Sequence, residues 1–213
     1  MYVPKHFAID DPSLIASWID EIGFGVLVTA VAGQPPEATH IPLLFEAGRG
    51  PLGTLRGHIA RANPQREAIL AGASALAIFQ GPHGYVSPRW YGPEPAVPTW
   101  NYVAIHATGR LRPLDPSQSL AAVDALVARY EDGAWTADVE YAQKLLNGII
   151  AFDLEIERLE GKAKLSQNRP ADVASVIAGL RATGRQDDAS LADAMTGPSQ
   201  GTRYDQDEPL GRR

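Results

Sequence analysis

Hydrophobic and polar positions change period several times along the chain, and each change marks an element. Leu14, Ile15, Trp18, Ile19 and Ile22 fall at helical spacing behind Asp11-Pro12. Asp is a good N-cap, Pro suits the first helical position, and Gly23 stops the run. Gly25 to Val31 is a β-branched run with no helical period, which predicts a strand buried on both faces. Gly33 to Pro36 is turn chemistry. Thr39 to Phe45 and Leu52 to Ile59 then predict two further strands, joined by the Gly-rich turn Ala47 to Gly50. Sequential strands with short turns point to an antiparallel meander.

Asn63-Pro64 repeats the cap-and-proline signal and predicts a short helix to Gly72. Ala75 to Gln80 and Gly84 to Ser87 read as strands interrupted at Gly81-Pro82, and Trp100 to Arg112 as one long strand. Asp115-Pro116 opens a helix with Leu120, Val123, Leu126, Val127 and Tyr130 on its apolar face, and a further helix is expected over Asp138 to Leu146. The clearest alternation follows at Ile150 to Leu159. Phe152, Leu154 and Ile156 point one way and Asp153, Glu155 and Glu157 the other, as in a sheet with one wet face. A last helix from Pro170 to about Ala182 places Val173, Val176, Ile177 and Leu180 at helical spacing. From Gly184 the chain turns polar. The expected organisation is one α+β domain over residues 1–183 and a polar tail over 184–213. The domain holds about six to eight antiparallel strands that relieve their edges by closing into a barrel, with peripheral helices.

The 213 residues, 45% hydrophobic and 21% charged, suit one well-buried core and not a disordered chain. A net charge of −6 argues against a protein that coats nucleic acid. With no cysteine, thiol nucleophiles, disulfides, Cys-based zinc sites and iron–sulfur clusters are excluded. Met1 to Asp10 has no signal-peptide core and no window approaches a membrane span, so a cytoplasmic protein is expected. No phosphate-binding P-loop, Rossmann glycine fingerprint, nucleophile elbow or zinc-protease helix is present, and His40, His58 and His106 lack metal-ligand spacing.

Four segments are unusually dense in polar and aromatic groups. Gly57-His-Ile-Ala-Arg-Ala-Asn-Pro64 runs from a strand end into a helix start, where backbone N–H groups and Arg61 suit a phosphate. The plainer alternative makes Asn63 a cap and Arg61 a solvated charge. Tyr85-Val-Ser-Pro-Arg-Trp-Tyr-Gly92 puts large aromatics on a loop, where a flat ligand, a partner subunit or the core itself would cover them. Val97-Pro-Thr-Trp-Asn-Tyr102 carries more polar handles than a core strand wants. Gly161-Lys-Ala-Lys-Leu-Ser-Gln-Asn-Arg-Pro170 is either an anion-binding cluster before a helix or a solvated basic loop. Together they would suit a planar ligand bearing a phosphate.

These four segments, with Met1-Tyr-Val-Pro-Lys-His-Phe7, closely resemble the PaiB-type family, described as FMN-binding negative transcriptional regulators, in order from Met1 to about Ala182. The resemblance implies a split barrel like that of pyridoxamine-phosphate-oxidase-type flavoproteins, a homodimer, and FMN in a groove at the subunit interface. On the phosphate side it implies Thr39, His40, His58, Arg61 and Asn63. On the ring side it implies Tyr85, Ser87, Trp90, Thr99, Trp100 and Asn101, some from the second subunit, with Lys164, Ser166, Gln167 and Asn168 closing the groove. Thr39-His40 stands roughly where the oxidases carry an Arg, and the connector Gly92 to Ala96 is short.

Two functions follow. One is the regulator of the family description, for which Lys162, Lys164 and Arg169 are the local candidates for DNA phosphate contacts although no DNA-reading module is visible. The other is a flavin-dependent oxidoreductase acting on a small molecule without direct DNA binding. Haem is a third, lesser expectation, because related split barrels can host it.

Overall fold

Asp11 caps the first helix as its position predicts. Its Oδ1 accepts the Ser13 N–H at 2.8 Å, and α1 runs over Pro12–Ile22. The structure, a computed structural model, describes residues 1–93, 95–131 and 144–197. The strands are β1 (Ala8–Ile9), β2 (Phe24–Thr29), β3 (Glu37–Pro42), β4 (Leu44–Glu46), β5 (Thr54–Ala60), β6 (Ser74–Val86), β7 (Thr99–Pro113) and β8 (Ile149–Lys164). The further helices are α2 (Arg66–Leu70), α3 (Pro116–Tyr130), α4 (Val173–Ala182) and α5 (Gln186–Thr196). The helix expected over Asp138 to Leu146 lies outside the described residues except for helical residues 144–146. The architecture is α+β, an eight-stranded sheet in the order β3-β2-β6-β7-β8-β5-β4 with β1 beside β8. The chain divides into two compact units, Met1–Trp18, Gln80–Ile105 and Glu160–Arg213 forming one and Ile19–Phe79 and His106–Leu159 the other.

The second unit shows why the sheet curls. Strands β3 and β4 stand at opposite ends of the strand order, yet only Leu43 separates them in sequence. A sheet whose two ends are joined by one residue must bend back on itself, so the expected strand Thr39 to Phe45 turns a corner there. Leu43 is buried, and its N–H donates to Gly23 O at 2.9 Å. A Cβ on Gly57 of β5 would lie 2.8 Å from Leu43 Cδ2 and 3.2 Å from Pro42 O, so glycine is what admits β5 this close. β3 pairs with β2, and β5 with β4 and β8. At this seam β5 packs against the β3–β4 corner.

Four further expectations are corrected by packing. β2 is buried on one face only: Gly25, Leu27 and Thr29 are buried, Val26 and Val28 half-buried and Phe24 exposed. The break expected at Gly81-Pro82 is absent. Instead the buried positions of β6 shift from odd to even between Gly81 and Gly84, as a bulge does, and a bulge tolerates the missing N–H of Pro82. The short helix after Asn63-Pro64 is confined to α2, because Asn63 and Pro64 form a turn before it. The stretch read as a polar tail begins with α5, whose Leu191, Ala192 and Met195 are buried. A Cβ on Gly84 would lie 2.9 Å from both Asp188 Oδ1 and Leu191 Cδ2, so α5 packs directly on β6. Its apolar residues are too sparse to reveal this by pattern.

The wet face expected for β8 is also interrupted. Glu155 and Glu157 are exposed, but Asp153 is fully buried. It stands opposite Arg56 across the β5–β8 ladder and accepts from Arg56 Nε at 2.9 Å and from Arg49 Nη2 at 2.7 Å. Glu46 joins both arginines at 3.0 Å. Burial alone would raise the Asp153 pKa, but hydrogen bonds from Arg56 and Arg49 outweigh it and hold the carboxyl below the ordinary range. Among the described residues, no helix is long and apolar enough to cross a membrane.

Removing the buried carboxylate leaves both guanidinium groups with Glu46 alone, so Asp153→Ala is expected to cost about 3 kcal/mol in urea unfolding. Because the native pKa lies below the unfolded one, this stabilisation is present above the unfolded carboxylate pKa. It is lost as pH falls through the depressed native value. An unfolding series in acid should show that step in the native chain and lack it in Asp153→Asn.

Candidate functional site

In the first unit, the end of β6, the start of β7 and the end of β8 bring an uncommon set of side chains to one face. Lys164 of β8 donates from Nζ to Thr99 Oγ1 and to the Trp100 carbonyl at 2.8 Å. Both partners are uncharged, and an ammonium has three donors, so among the described residues one N–H remains unspent. Burial, and then the charge of Lys162, lowers the Lys164 pKa. Beside it Trp100 is 54% exposed and Tyr85 45% exposed, their rings edge to face at 6.3 Å. Lys162 is buried, donates to the Tyr2 carbonyl at 3.2 Å, and stands 5.2 Å from the Tyr102 ring centroid and 5.6 Å from that of Tyr2. The period of two along β7 and β8 makes this set: Trp100 and Tyr102 on one strand, Lys162 and Lys164 on the other.

Other residues singled out in the same unit are used inside the fold. Asn101, one residue from Trp100, points into the core. Its Nδ2 donates to Ser166 Oγ at 2.9 Å and contacts Met195 Sδ at 3.7 Å, while its buried Oδ1 has no partner. Ser166 sits at φ 66° in the left-handed region, and Gln167 closes the same turn by accepting from Leu165 N and donating to Ala163 O. Asn168 is exposed. Ser87 caps the short 3-10 turn Pro88–Trp90, accepting from Arg89 N at 3.3 Å. Trp90 packs on α4: a Cβ on Gly179 would lie 2.4 Å from its Cδ2, and Ser175 donates to its carbonyl at 2.6 Å. Arg169 pairs with Asp172 at 2.8 Å and lies 4.5 Å over the Tyr91 ring.

The second unit holds the residues proposed for phosphate. Asn63 donates to Thr39 Oγ1 at 2.8 Å and accepts the Gln65 N–H at 2.9 Å, so it both caps the turn before α2 and ties that turn to β3. Arg61 spends its fork on backbone, donating from Nε to Asn147 O at 2.7 Å and from Nη2 to Ile149 O at 2.9 Å, where β8 begins. His40 is exposed and stacked on Phe24 with centroids 6.4 Å apart. His58, half-buried on β5, has its pKa lowered by burial, which favours neutral imidazole. Among the described residues no group of three or more His, Asp or Glu converges as metal ligands do. Tyr2 and Tyr102 stand outside the residues expected from the sequence to hold a cofactor, and Lys162 entered there only as one cation of the Gly161 to Pro170 anion-binding cluster and as a DNA contact. The alternation of Lys162 with Lys164, facing Trp100 and Tyr102, was the available signal.

Trp100, Tyr85 and Lys164, with the Thr99 hydroxyl holding the lysine, offer flat aromatic surface and a desolvated cation. That donor set suits a planar anionic cofactor such as FMN. The fold is that of split-barrel flavoproteins. It is similar to the FAD and haem binding protein of Mycobacterium smegmatis, with a TM-score of 0.60 at 18% identity over 79% of each chain. It is also similar to the flavocytochrome Anf3 of Azotobacter vinelandii, with a TM-score of 0.60 at 15% identity over 76% of this chain and 72% of that one. Residues 1–158 match the family described as "Putative FMN-binding domain", and the chain belongs to that family. It is 33% identical over 202 residues to the Bacillus subtilis (strain 168) Protease synthase and sporulation protein PAI 2, covering 92% of this chain and 96% of that protein.

Trp90 of the short turn and Trp100 of β7 therefore separate cleanly. Trp90→Ala is expected to lower stability by about 2 kcal/mol, because its packing against α4 is lost. Trp100→Ala should stay within about 0.5 kcal/mol of the native chain, as exposed substitutions do. Urea unfolding followed by circular dichroism measures both.

Proposed function

We propose that the protein is a cytoplasmic, homodimeric flavin-binding protein that holds FMN on the face of Tyr85, Thr99, Trp100 and Lys164. The supporting observation is the Lys164 ammonium, desolvated, fixed by uncharged partners and set beside exposed aromatic rings. Trp100 would supply stacking surface, and Thr99 holds the lysine in place. The unspent N–H of Lys164 would meet an anionic group of the cofactor. FMN supplies reversible electron and hydride transfer when bound, and the protein's part is orientation and electrostatics.

The regulatory role in the family description is best read as indirect. Of the cations considered for DNA, Lys162 is buried and Arg169 is committed to Asp172 and Tyr91. Phosphate contacts to a duplex need accessible cations, and this set supplies few. A redox or binding activity toward a small molecule would alter expression without a DNA contact. A gel shift at low salt tests this directly: retarded upstream DNA would overturn the indirect reading.

Support for the homodimer comes from the outward face of β2 and β6. Cross-strand neighbours Val26 and Ile78, and Val28 and Leu76, are only half-buried, and Phe24 beside them is 56% exposed. A second copy would cover such an apolar face. Val28→Glu should shift the chain to monomer in sedimentation velocity.

The flavin reading is tested by adding FMN to purified protein and following its absorbance bands and quenched fluorescence. Lys164→Met and Trp100→Ala should each weaken FMN by about tenfold or more while leaving the fold intact. Because the Lys164 pKa is lowered, its charge and FMN affinity should fall at a pH below the ordinary lysine range. Lys164→Arg should move that fall upward. Protein that takes up no FMN at all overturns the reading.

A further inference from the structure

The flavin reading leaves Lys162 unused. We infer that Lys162, with Tyr102 and Tyr2, is the anchor of a second site on the same face, for a planar aromatic ligand carrying a carboxylate or similar acid group. This rests on the flavin reading only in taking Lys164 as the cofactor's cation.

Lys162 is 8% exposed, and among the described residues its one hydrogen bond is to the neutral Tyr2 carbonyl at 3.2 Å. An ammonium removed from water is costly unless an anion or several strong acceptors compensate. Here the compensation is one carbonyl and the faces of two tyrosines, at 5.2 and 5.6 Å from the ring centroids. Among the described residues two of its donors stay unspent. Lys164, two residues along the same side of β8 and about 7 Å away by strand geometry, shows the same want of a charged partner. Burial first, and then the charge of Lys162, lowers the Lys164 pKa, so an anion arriving beside the two would favour the Lys164 ammonium.

The surroundings select the kind of anion. Tyr102 lies in the sheet beside Trp100, and Tyr2, which covers Lys162, is itself 83% exposed, so the Tyr2 side is the one a ligand can approach. A ligand entering there meets ring faces next to a cation. A flat aromatic acid satisfies both; a bulky or aliphatic acid satisfies only the charge, and a neutral arene only the stacking. The site thus takes a small aromatic acid alongside the cofactor, and its charge preference lies in Lys162.

Isothermal titration with 2-naphthoate and its neutral isostere 2-naphthamide tests this on the whole chain, with and without saturating FMN. The acid should bind about tenfold tighter than the amide. Lys162→Gln should bring the acid to within about twofold of the amide, Lys162→Arg should keep the preference, and FMN affinity should stay within about twofold in both. The comparison of acid with amide on the native chain needs no variant to fold. Equal affinities there, an unchanged preference in Lys162→Gln, or competitive displacement of FMN by naphthoate would each overturn the second site. If FMN does not bind while naphthoate binds through Lys162, the flavin reading falls and the Lys162 site stands.

Discussion

Strand β7 alternates without a break over its central stretch. Asn101, Val103, Ile105, Ala107, Gly109 and Leu111 are buried, and the residues between them are not. That parity is the constraint from which both core and candidate site follow. A pleated strand sends neighbours to opposite faces, so slipping β7 by one residue would exchange every core side chain for a surface one. The register is held hard. A Cβ at Gly109 would lie 2.0 Å from Glu155 O, so β7 and β8 meet more closely there than any side chain allows. With the parity fixed, Trp100 must face outward and Asn101 inward. Asn101 is spent on Ser166 inside the fold while the Trp100 ring stays exposed, although they are adjacent in a single motif.

This explains how the recognisable segments divide. Ser87, Trp90, Asn101, Ser166 and Gln167 are drawn into turns and packing by bonds that close over short distances. Thr99, Trp100, Tyr85 and Lys164 remain at the surface with groups to spare. A motif quoted as a string hides that division, because its period-two structure is visible only once the strand is known. Arg61 shows the same effect: it sits where a phosphate fork is expected, but its fork is taken by the carbonyls of Asn147 and Ile149.

Much of the fold was legible in the sequence for local physical reasons. Asp115 and Pro116 open α3 with a full capping box, in which Asp115 accepts the Gln118 N–H at 2.8 Å. The alternation of Phe152, Leu154 and Ile156 gave β8 its buried face. What could not be read depends on contacts far apart in sequence. Asp153 looks like one more wet-face carboxylate until Arg49 and Arg56 arrive from other strands and turns to bury it. The helix α5 looks polar until Gly84 leaves room for Leu191. Its low apolar content is enough because one close approach replaces a wide stripe. For the candidate site, the residue types were legible and their sorting was not.

The same sorting bears on what kind of anion this face accepts. Attraction to a nucleic-acid backbone grows with the number of cations that can reach successive phosphates, and it works through water. Lys162 and Lys164 are arranged in the opposite way. They are drawn into the sheet, tethered to neutral acceptors, and flanked by Tyr102 and Trp100. Such cations interact strongly with a charge brought into contact and weakly with one held at a distance, because the gain comes from ending their own desolvation. The aromatic neighbours favour a ligand that is flat where it meets them. A compact, planar, singly or doubly charged molecule meets both conditions, and a duplex meets neither. The electrostatics of the face therefore favour cofactor and small acid over DNA, independently of which flavin chemistry follows.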